Sequence, residues 1–235
     1  MTALPVRAPA LGVQLAALLR RQIVTGELTA GAHLVEQNLA SDHGVSRGPV
    51  RDALRELLTE GLIESRQRGF FVKAFTRRDV DELYEVRGSL EQLACELTIR
   101  RRPRDWSAVE AATTAMLRAA DAQDWSRFAA HDLAFHTAFY EMSGNTRLEA
   151  LWRQQWPIFA VLLDLTNSQD ADLHPSAIGH VKLLELAQKH EVTAFAQALA
   201  DHLDGSKQRM CAMLLPDGVA NPAGPHGDGE AAPTG

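Results

Sequence analysis

Residues 44–57 read GVSRGPVRDALREL, which is the pattern of a tight turn followed by a DNA-reading helix. Gly44 supplies the backbone freedom for the turn, Ser46 is a suitable N-cap, and Pro49 stands in the first turn, where a missing N–H costs nothing. Three arginines recur every fourth residue on one face of the predicted helix: Arg47, Arg51 and Arg55. Such a stripe can lie against phosphates and reach base edges, and ordinary solvated surface charge is the alternative.

The flanking segments favour the DNA-binding alternative. Residues 11–25 have apolar side chains at helical spacing before Gly26, and a short second helix over 35–43 leads into the turn. Residues 60–72 form two short predicted strands, joined by a basic turn from Arg66 to Gly69. Three helices followed by a hairpin predict a winged helix-turn-helix.

The same segment resembles the N-terminal domain of GntR-family transcription regulators over residues 10–75. The shared positions are Ile23, Gly26, Leu28, Gly31, Leu34, Glu36, Leu39 and Ala40, then Val45-Ser46-Arg47 and Pro49-Val50-Arg51. The resemblance implies operator contacts at Arg47 and Arg51, a phosphate contact at Ser46 and approach of the wing glycine, Gly69, to the minor groove. Arg55 continues the stripe, and Arg68 at the wing tip is either a DNA contact or a solvated charge.

Composition divides the chain into two parts. The chain has 235 residues, 46% of which are hydrophobic, so it has enough apolar side chains for one large and one small core. Its net charge is -6. Residues 1–75 have nine Lys/Arg and seven Asp/Glu, giving +2, whereas residues 76–235 have fifteen and twenty-three, giving -8. Positive charge is therefore concentrated where DNA is expected to bind. The chain has two cysteines, which do not form a CxxC motif, and it has no apolar run of about 20 residues. We therefore expect a soluble cytoplasmic protein.

We expect a winged-helix domain over 1–75, an all-α antiparallel helical bundle over 76–215 and a disordered, Gly/Pro-rich tail over 216–235. Thr76 and Asp79 are spaced as a capping pair at the start of the bundle. Apolar residues recur at helical spacing in six segments: 77–101, 105–122, 124–143, 146–168, 175–190 and 191–214. Pro157 is expected to kink or split the fourth of these.

Four side chains of this bundle suggest a metal site. Asp132 and His136 are one helical turn apart, and His180 and His202 stand among apolar residues of later helices. An antiparallel bundle could bring the four together, and three imidazoles with one carboxylate suit zinc, nickel or another late divalent metal. From spacing alone, a hydrogen-bonded or solvated Asp–His pair remains the alternative.

Residues 131–139, HDLAFHTAF, followed by SGN at 143–145, resemble the FCD effector domain of the FadR-type branch of GntR regulators. The resemblance implies a divalent metal, zinc first, held by Asp132, His136, His180 and His202. The residue before the third ligand is commonly glutamate in that branch, whereas this chain has Gly179.

Residues 84–91 of this chain also resemble the first helix of that domain. This resemblance implies that Arg87 points toward the central cavity. Arg87 would then bind the carboxylate of an effector, which we expect to be a small organic acid or sugar acid. An intramolecular ion pair between Arg87 and Glu91, one turn later, is the alternative.

These features predict a sequence-specific transcription regulator, a repressor that binds a palindromic operator as a homodimer and responds to its effector. The alternatives are a metal-dependent enzyme and a regulator with a purely structural metal. Four protein ligands leave less open coordination than the usual three-ligand catalytic zinc site, and no paired general base or nucleophile stands nearby. The sequence therefore favours a regulator that is not an enzyme.

Overall fold

The computed structural model describes residues 10–101 and 105–214, so the predicted tail over 216–235 lies outside the described residues. Nine helices and three short strands follow one another in the described ranges. They are α1 Leu11–Val24, β1 His33–Leu34, α2 Glu36–Asp42, α3 Arg47–Thr59, β2 Ile63–Arg66, β3 Gly69–Val72, α4 Arg77–Arg100, α5 Ser107–Asp121, α6 Trp125–Ser143, α7 Thr146–Asn167, α8 His174–Gln188 and α9 Val192–Leu214. The mainly α fold and the winged helix-turn-helix are confirmed.

The winged helix has one strand more than the sequence predicts. β2 and β3 form the expected hairpin, and β1 pairs antiparallel with β3, which places His33 opposite Phe71. In the core, apolar side chains of α1 pack against the buried face of α3, where Val50 and Leu57 are inaccessible to solvent. Because this face is buried, the arginines of α3 are left on its outer surface.

Ser46 takes the N-cap position of α3 with extended backbone, but its side chain makes no capping hydrogen bond, so the predicted capping role is wrong. The reason lies in the first turn. A serine cap bonds the N–H of the second or third helical residue, and Pro49 at the third position has none. Ser46 is exposed beside the arginine face.

The bundle begins at a confirmed capping box, in which Thr76 and Asp79 bond each other's backbone N–H groups. The expected split at Pro157 is wrong, because α7 runs as one helix from Thr146 to Asn167. Trp152 and Phe159 on either side of the proline are completely buried, so packing of both halves in one core outweighs the lost backbone hydrogen bond.

Helix α6 lies at the centre of the bundle, between α4, α5 and α7. The winged helix contacts this bundle where α1 meets α7, and Arg21 forms an ion pair with Asp164 across the contact at 2.8 Å. None of the described helices is long and apolar enough to span a membrane.

Candidate metal centre and DNA-binding surface

Three histidines from three helices converge inside the bundle. His136 on α6, His180 on α8 and His202 on α9 place one ring nitrogen each within 4.8 Å of the others. The Nε2 atoms of His136 and His180 are 3.3 Å apart, and both side chains are fully buried. Three imidazole nitrogens at this spacing are the donor set of a late divalent metal.

Asp132 lies beside two of the three histidines. Its carboxylate oxygens are 3.5 Å from Nε2 of His136 and 3.5 Å from Nε2 of His180. Oδ1 is buried and has no hydrogen-bond partner among the described residues. A buried carboxylate oxygen without a partner is unfavourable, and a cation between Asp132 and the imidazoles would satisfy it.

Hydrogen bonds on the far side of two rings set their tautomers. His136 donates from Nδ1 to the Glu91 carboxylate, and His180 donates from Nδ1 to the Ser176 carbonyl oxygen at 2.8 Å. When both rings are neutral, both Nε2 atoms are unprotonated, and their lone pairs face one another across 3.3 Å. Two facing lone pairs repel unless a cation lies between them, so the residues fit a metal ion.

The ionisation of the cluster also fits. Burial lowers the pKa of His180 to about 4, against the opposing effect of the Asp132 charge, and burial lowers the pKa of His202 well below its usual range. Burial alone would raise the pKa of Glu91, but His136 and Arg87 together lower it to about 2. His180 and His202 are therefore neutral and Glu91 is ionised near neutral pH, which are states that suit metal binding.

Arg87 forms the ion pair with Glu91 that the sequence analysis gives as the alternative to effector binding. Its Nε atom pairs with Glu91 at 3.1 Å, and both side chains are 1% exposed. Its two terminal nitrogens are buried without a hydrogen-bond partner among the described residues. The guanidinium lies 4.7 Å from the ring centre of Phe159 and 5.7 Å from that of Trp152. Two terminal NH2 groups beside aromatic rings have the donor geometry that a planar anion such as a carboxylate could accept.

Glu91 is the functional residue that the sequence analysis missed as a partner of the metal cluster. It receives Arg87 on one carboxylate oxygen and His136 on the other, so it couples the guanidinium to a histidine of the cluster. Its only signal in the sequence is the four-residue spacing from Arg87, because the contact with His136 forms between helices.

The arginine face of α3 is exposed. Arg47 bonds the Gln37 side chain at 3.3 Å, and Arg51 bonds Glu36 at 2.9 Å, so α2 holds both side chains at the surface. The Arg55 side chain is 75% exposed, against 55% for Arg51, and lies 3.5 Å from Asp52. These pairs are open to solvent and therefore weak, so phosphates can displace them.

The wing tip is held by a residue that the sequence analysis did not single out. Arg66 pairs with Gly69 across the turn, and Arg68 is exposed at the tip. His33 donates from Nε2 to the Arg68 carbonyl oxygen at 2.9 Å, and its ring stacks on Phe71 with centres 4.6 Å apart. Since β1 has only two residues, no periodicity in the sequence could reveal this contact.

Replacing Gly69 by alanine is expected to weaken operator binding. Gly69 has φ +123°, and an added Cβ would lie 2.9 Å from His33 Nε2, so the wing tip must shift. We expect weaker binding to an operator selected from a random DNA library, measured by fluorescence anisotropy, because a shifted wing tip changes its approach to the minor groove. Gly26→Ala is the control, because Gly26 also has positive φ but an added Cβ there would meet no atom within 4 Å. Equal affinities for the two variants would contradict a role for the wing geometry.

Family models match both parts of the chain. The FCD domain model matches residues 82–205, and the model of bacterial regulatory proteins of the gntR family matches residues 11–72. An uncharacterized HTH-type transcriptional regulator of Bacillus subtilis is 44% identical over 82 residues, 34% of this chain and 37% of that protein. The chain thus spans little more than a third of that relative.

Two longer matches are to named repressors. A probable D-xylose utilization operon transcriptional repressor of Paenarthrobacter nicotinovorans is 28% identical over 77% of this chain and 80% of its own length. The gluconate operon transcriptional repressor of Bacillus subtilis is 29% identical over 63% of this chain and 61% of its own length.

Solved structures share the fold. Escherichia coli McbR/YncC has a TM-score of 0.67 at 24% identity, with 86% of this chain and 98% of that chain covered. A GntR transcriptional regulator from a Rhodococcus species has a TM-score of 0.62 at 24% identity, with 86% and 97% covered. The chain belongs to the GntR family of bacterial transcription regulators, with an FCD domain behind its winged helix, and it is a regulator rather than an enzyme.

Proposed function

We propose that this protein is an effector-responsive repressor, in which a divalent metal and a small carboxylate bind side by side in the FCD domain and modulate operator binding by a homodimer. The observation that carries the proposal is the buried Arg87 guanidinium, whose terminal nitrogens lack partners among the described residues. It is linked through Glu91 to His136 of the histidine cluster. An anion bound at Arg87 therefore lies within a network that includes the cluster.

Asp132, His136, His180 and His202 would hold the metal, with zinc first and nickel or another late divalent ion as alternatives. The bound ion would supply a Lewis-acidic point of attachment for one oxygen of the effector. Glu91 orients His136, and the Ser176 carbonyl orients His180, so the protein presents both Nε2 atoms before any ion arrives.

The effector we propose is a small organic acid or sugar acid. The two terminal NH2 groups of Arg87 match the two oxygens of a carboxylate, and the surrounding rings would exclude water from the pair. One relative is named as the repressor of a gluconate operon, which supports a sugar acid within this class.

Helix α4 connects the effector site to the DNA-binding domain. It begins at Arg77, soon after the wing and capped by Thr76, and carries both Arg87 and Glu91. A ligand that draws Arg87 toward the metal centre would act on this helix, which leads back to the wing. Displacement of the winged helices from their matched spacing would then weaken operator binding.

The test is a panel of carboxylic and sugar acids on metal-loaded protein, read by operator binding and repeated after chelation. We expect one acid to release DNA only in the presence of metal, and Arg87→Gln to abolish its effect while leaving operator affinity unchanged. Metal binding without a response to any acid would support a purely structural metal instead. Turnover of an acid would contradict the repressor.

Replacing Arg51 by alanine is expected to lower operator affinity by about 1 to 3 kcal/mol, the range for a base contact of an arginine. The measurement is fluorescence anisotropy with selected operator and with random DNA. Arg153→Ala is the matched control, since Arg153 is an exposed, ion-paired arginine of the bundle. Unchanged operator affinity for Arg51→Ala would remove Arg51 from the DNA-reading face.

A further inference from the structure

We propose that a metal ion enters and leaves the histidine cluster between α8 and α9, through an opening that Gly179 leaves beside His202. This inference rests on the metal of the proposed function and adds the route by which that metal exchanges. An ion that exchanges through such an opening makes the repressor responsive to the supply of the metal as well as to its acid.

Solvent meets the cluster at His202. The other three residues, Asp132, His136 and His180, have exposed fractions of 3%, 0% and 0%. His202 on α9 is partly exposed. Opening a core helix requires local unfolding, whereas a partly exposed side chain turns on the picosecond to nanosecond timescale. His202 is therefore the side of the cluster at which an ion passes most easily.

Hydrogen bonds hold two of the three imidazoles, but they do not hold His202. Glu91 accepts a hydrogen bond from His136, and the Ser176 carbonyl oxygen accepts one from His180. His202 forms no hydrogen bond with any residue of the described ranges, and its ring packs against the other two imidazoles. An imidazole whose second nitrogen has no partner is free to turn. His202 can therefore move aside for an ion while the other two rings stay in place.

Gly179 leaves open space beside the His202 ring. It lies on α8 directly before His180 and is itself partly exposed. A Cβ on Gly179 would lie 3.5 Å from Nδ1 of His202, and apart from its chain neighbours and the backbone of α8 it would meet no other described atom within 4 Å. Since 3.5 Å is an ordinary contact distance, a side chain at this position would lie against the ring. With glycine there, the space beside Nδ1 stays open between α8 and α9.

The neighbouring groove between α4 and α9 does not provide this route. Tyr84, Gly88 and Leu203 are among the residues that line it, and none of the four cluster residues does. Tyr84 is 5% exposed, and its hydroxyl is hydrogen-bonded to Ser206 at 2.9 Å, which closes the groove toward the interior. Passage there requires a buried hydrogen bond to break, so the opening at Gly179 is the easier path.

The first test measures zinc uptake and zinc release in Gly179→Leu and Gly179→Ala, by stopped-flow mixing with zinc or with excess chromogenic chelator. A side chain in the opening hinders passage in both directions. We expect both rate constants to fall, by about tenfold in Gly179→Leu, a rise of about 1.4 kcal/mol in the barrier, and by less in Gly179→Ala. The dissociation constant, which is the ratio of the two, should hardly change. If leucine displaces His202, Gly179→Ala decides the test, because its methyl group fits at 3.5 Å.

Gly205→Ala is the matched control. It adds the same methyl group to a glycine of α9, where the new Cβ would lie 3.7 Å from the Arg209 side chain instead of against the cluster. Both rate constants should stay unchanged in this variant. Unchanged rates in both Gly179 variants would overturn the route. Slower release with unchanged uptake would also overturn it, because residue 179 would then act on the strength of the site and not on its access.

Tyr84→Phe tests the location of the route. This variant removes the hydrogen bond to Ser206 that closes the groove between α4 and α9. If ions pass at Gly179, zinc uptake and release in Tyr84→Phe should keep the rates of the unmodified protein. Faster exchange in Tyr84→Phe would place the route in that groove and overturn the proposal.

These outcomes are separate from those of the proposed function. If the unmodified protein binds no late divalent ion, the metal of the proposed function fails and the route fails with it. If it binds zinc and its exchange rates do not depend on residue 179, only the route fails. Release of operator by an acid is read at equilibrium on metal-loaded protein, so it tests the repressor independently of the exchange rates.

Discussion

Replacing Arg20 by alanine is expected to destabilise the protein by about 3 to 5 kcal/mol, the range for breaking a buried ion pair by removal of one partner. Arg20 on α1 is 3% exposed, and its guanidinium bonds both carboxylate oxygens of Glu60, at 2.7 and 2.5 Å. It also bonds Glu56 at 2.9 Å. Without Arg20, the largely buried Glu60 carboxylate has lost its counter-charge. Urea denaturation followed by circular dichroism measures the loss.

The loss of stability caused by Arg20→Ala should depend on pH. Burial raises the pKa of Glu60 above its ordinary value of 4.5, and Arg20 opposes that rise. In Arg20→Ala the lowering effect of Arg20 on this pKa is gone. The Glu60 carboxyl group therefore holds its proton more tightly in the folded protein than in the unfolded chain. The free energy of unfolding of the variant then falls as pH increases from 4.5 through the raised pKa of Glu60. The difference in stability between Arg20→Ala and the unmodified protein should therefore be smaller at pH 5 than at pH 8.

Arg21→Ala is the matched control for this prediction. Arg21 is the neighbouring arginine, but it is 48% exposed and pairs with a partly exposed Asp164. A solvated pair of this kind contributes about 0 to 1 kcal/mol. The double variant Arg20→Leu/Glu60→Leu should recover most of the loss, because an apolar pair leaves no buried charge. Equal effects of Arg20→Ala and Arg21→Ala would show that burial of the Arg20 network is unimportant.

The winged helix was predictable because its signals are local. Turn glycine, N-terminal proline and apolar spacing all lie within residues 44–57, and the structure starts α3 at Arg47. The same local reasoning failed where a neighbour changes the chemistry. Ser46 cannot cap through the third helical residue, because Pro49 has no N–H to offer.

Tertiary contacts were only partly predictable. The spacing of Asp132 and His136 put both on one helix face, and the resemblance to the FCD domain proposed two histidines from α8 and α9 as their partners. The contact of Glu91 with His136 joins residues 45 apart on different helices, so no spacing rule indicates it. The unbroken course of α7 through Pro157 likewise depends on burial of both flanking segments in one core.

Chelation of a metal-loaded sample is expected to lower the free energy of unfolding by about 4 kcal/mol, if the free metal stands at about a thousand times its dissociation constant before chelation. The physical reason is the arrangement of donors in the folded protein. The Nε2 atoms of His136 and His180 face each other at 3.3 Å beside an unpartnered oxygen of Asp132, and the unfolded chain cannot reproduce this site. Denaturation in urea with and without chelator gives the increment directly.

His180→Ala should abolish this metal-dependent increment, whereas His174→Ala should retain it in full. His174 is an exposed histidine paired with Asp121 and Asp172, so it is matched in residue type but lies outside the cluster. His180→Ala also leaves a cavity in the core, which lowers the free energy of unfolding equally with and without metal. This effect cancels in the difference between the two measurements, so the metal-dependent increment reports on metal binding alone. An increment of the same size in His180→Ala would mean that the metal binds elsewhere. The unmodified protein could also bind no metal and show no increment. In that case a proton shared by the imidazoles of His136 and His180 would relieve their repulsion, and the cluster would be a structural network.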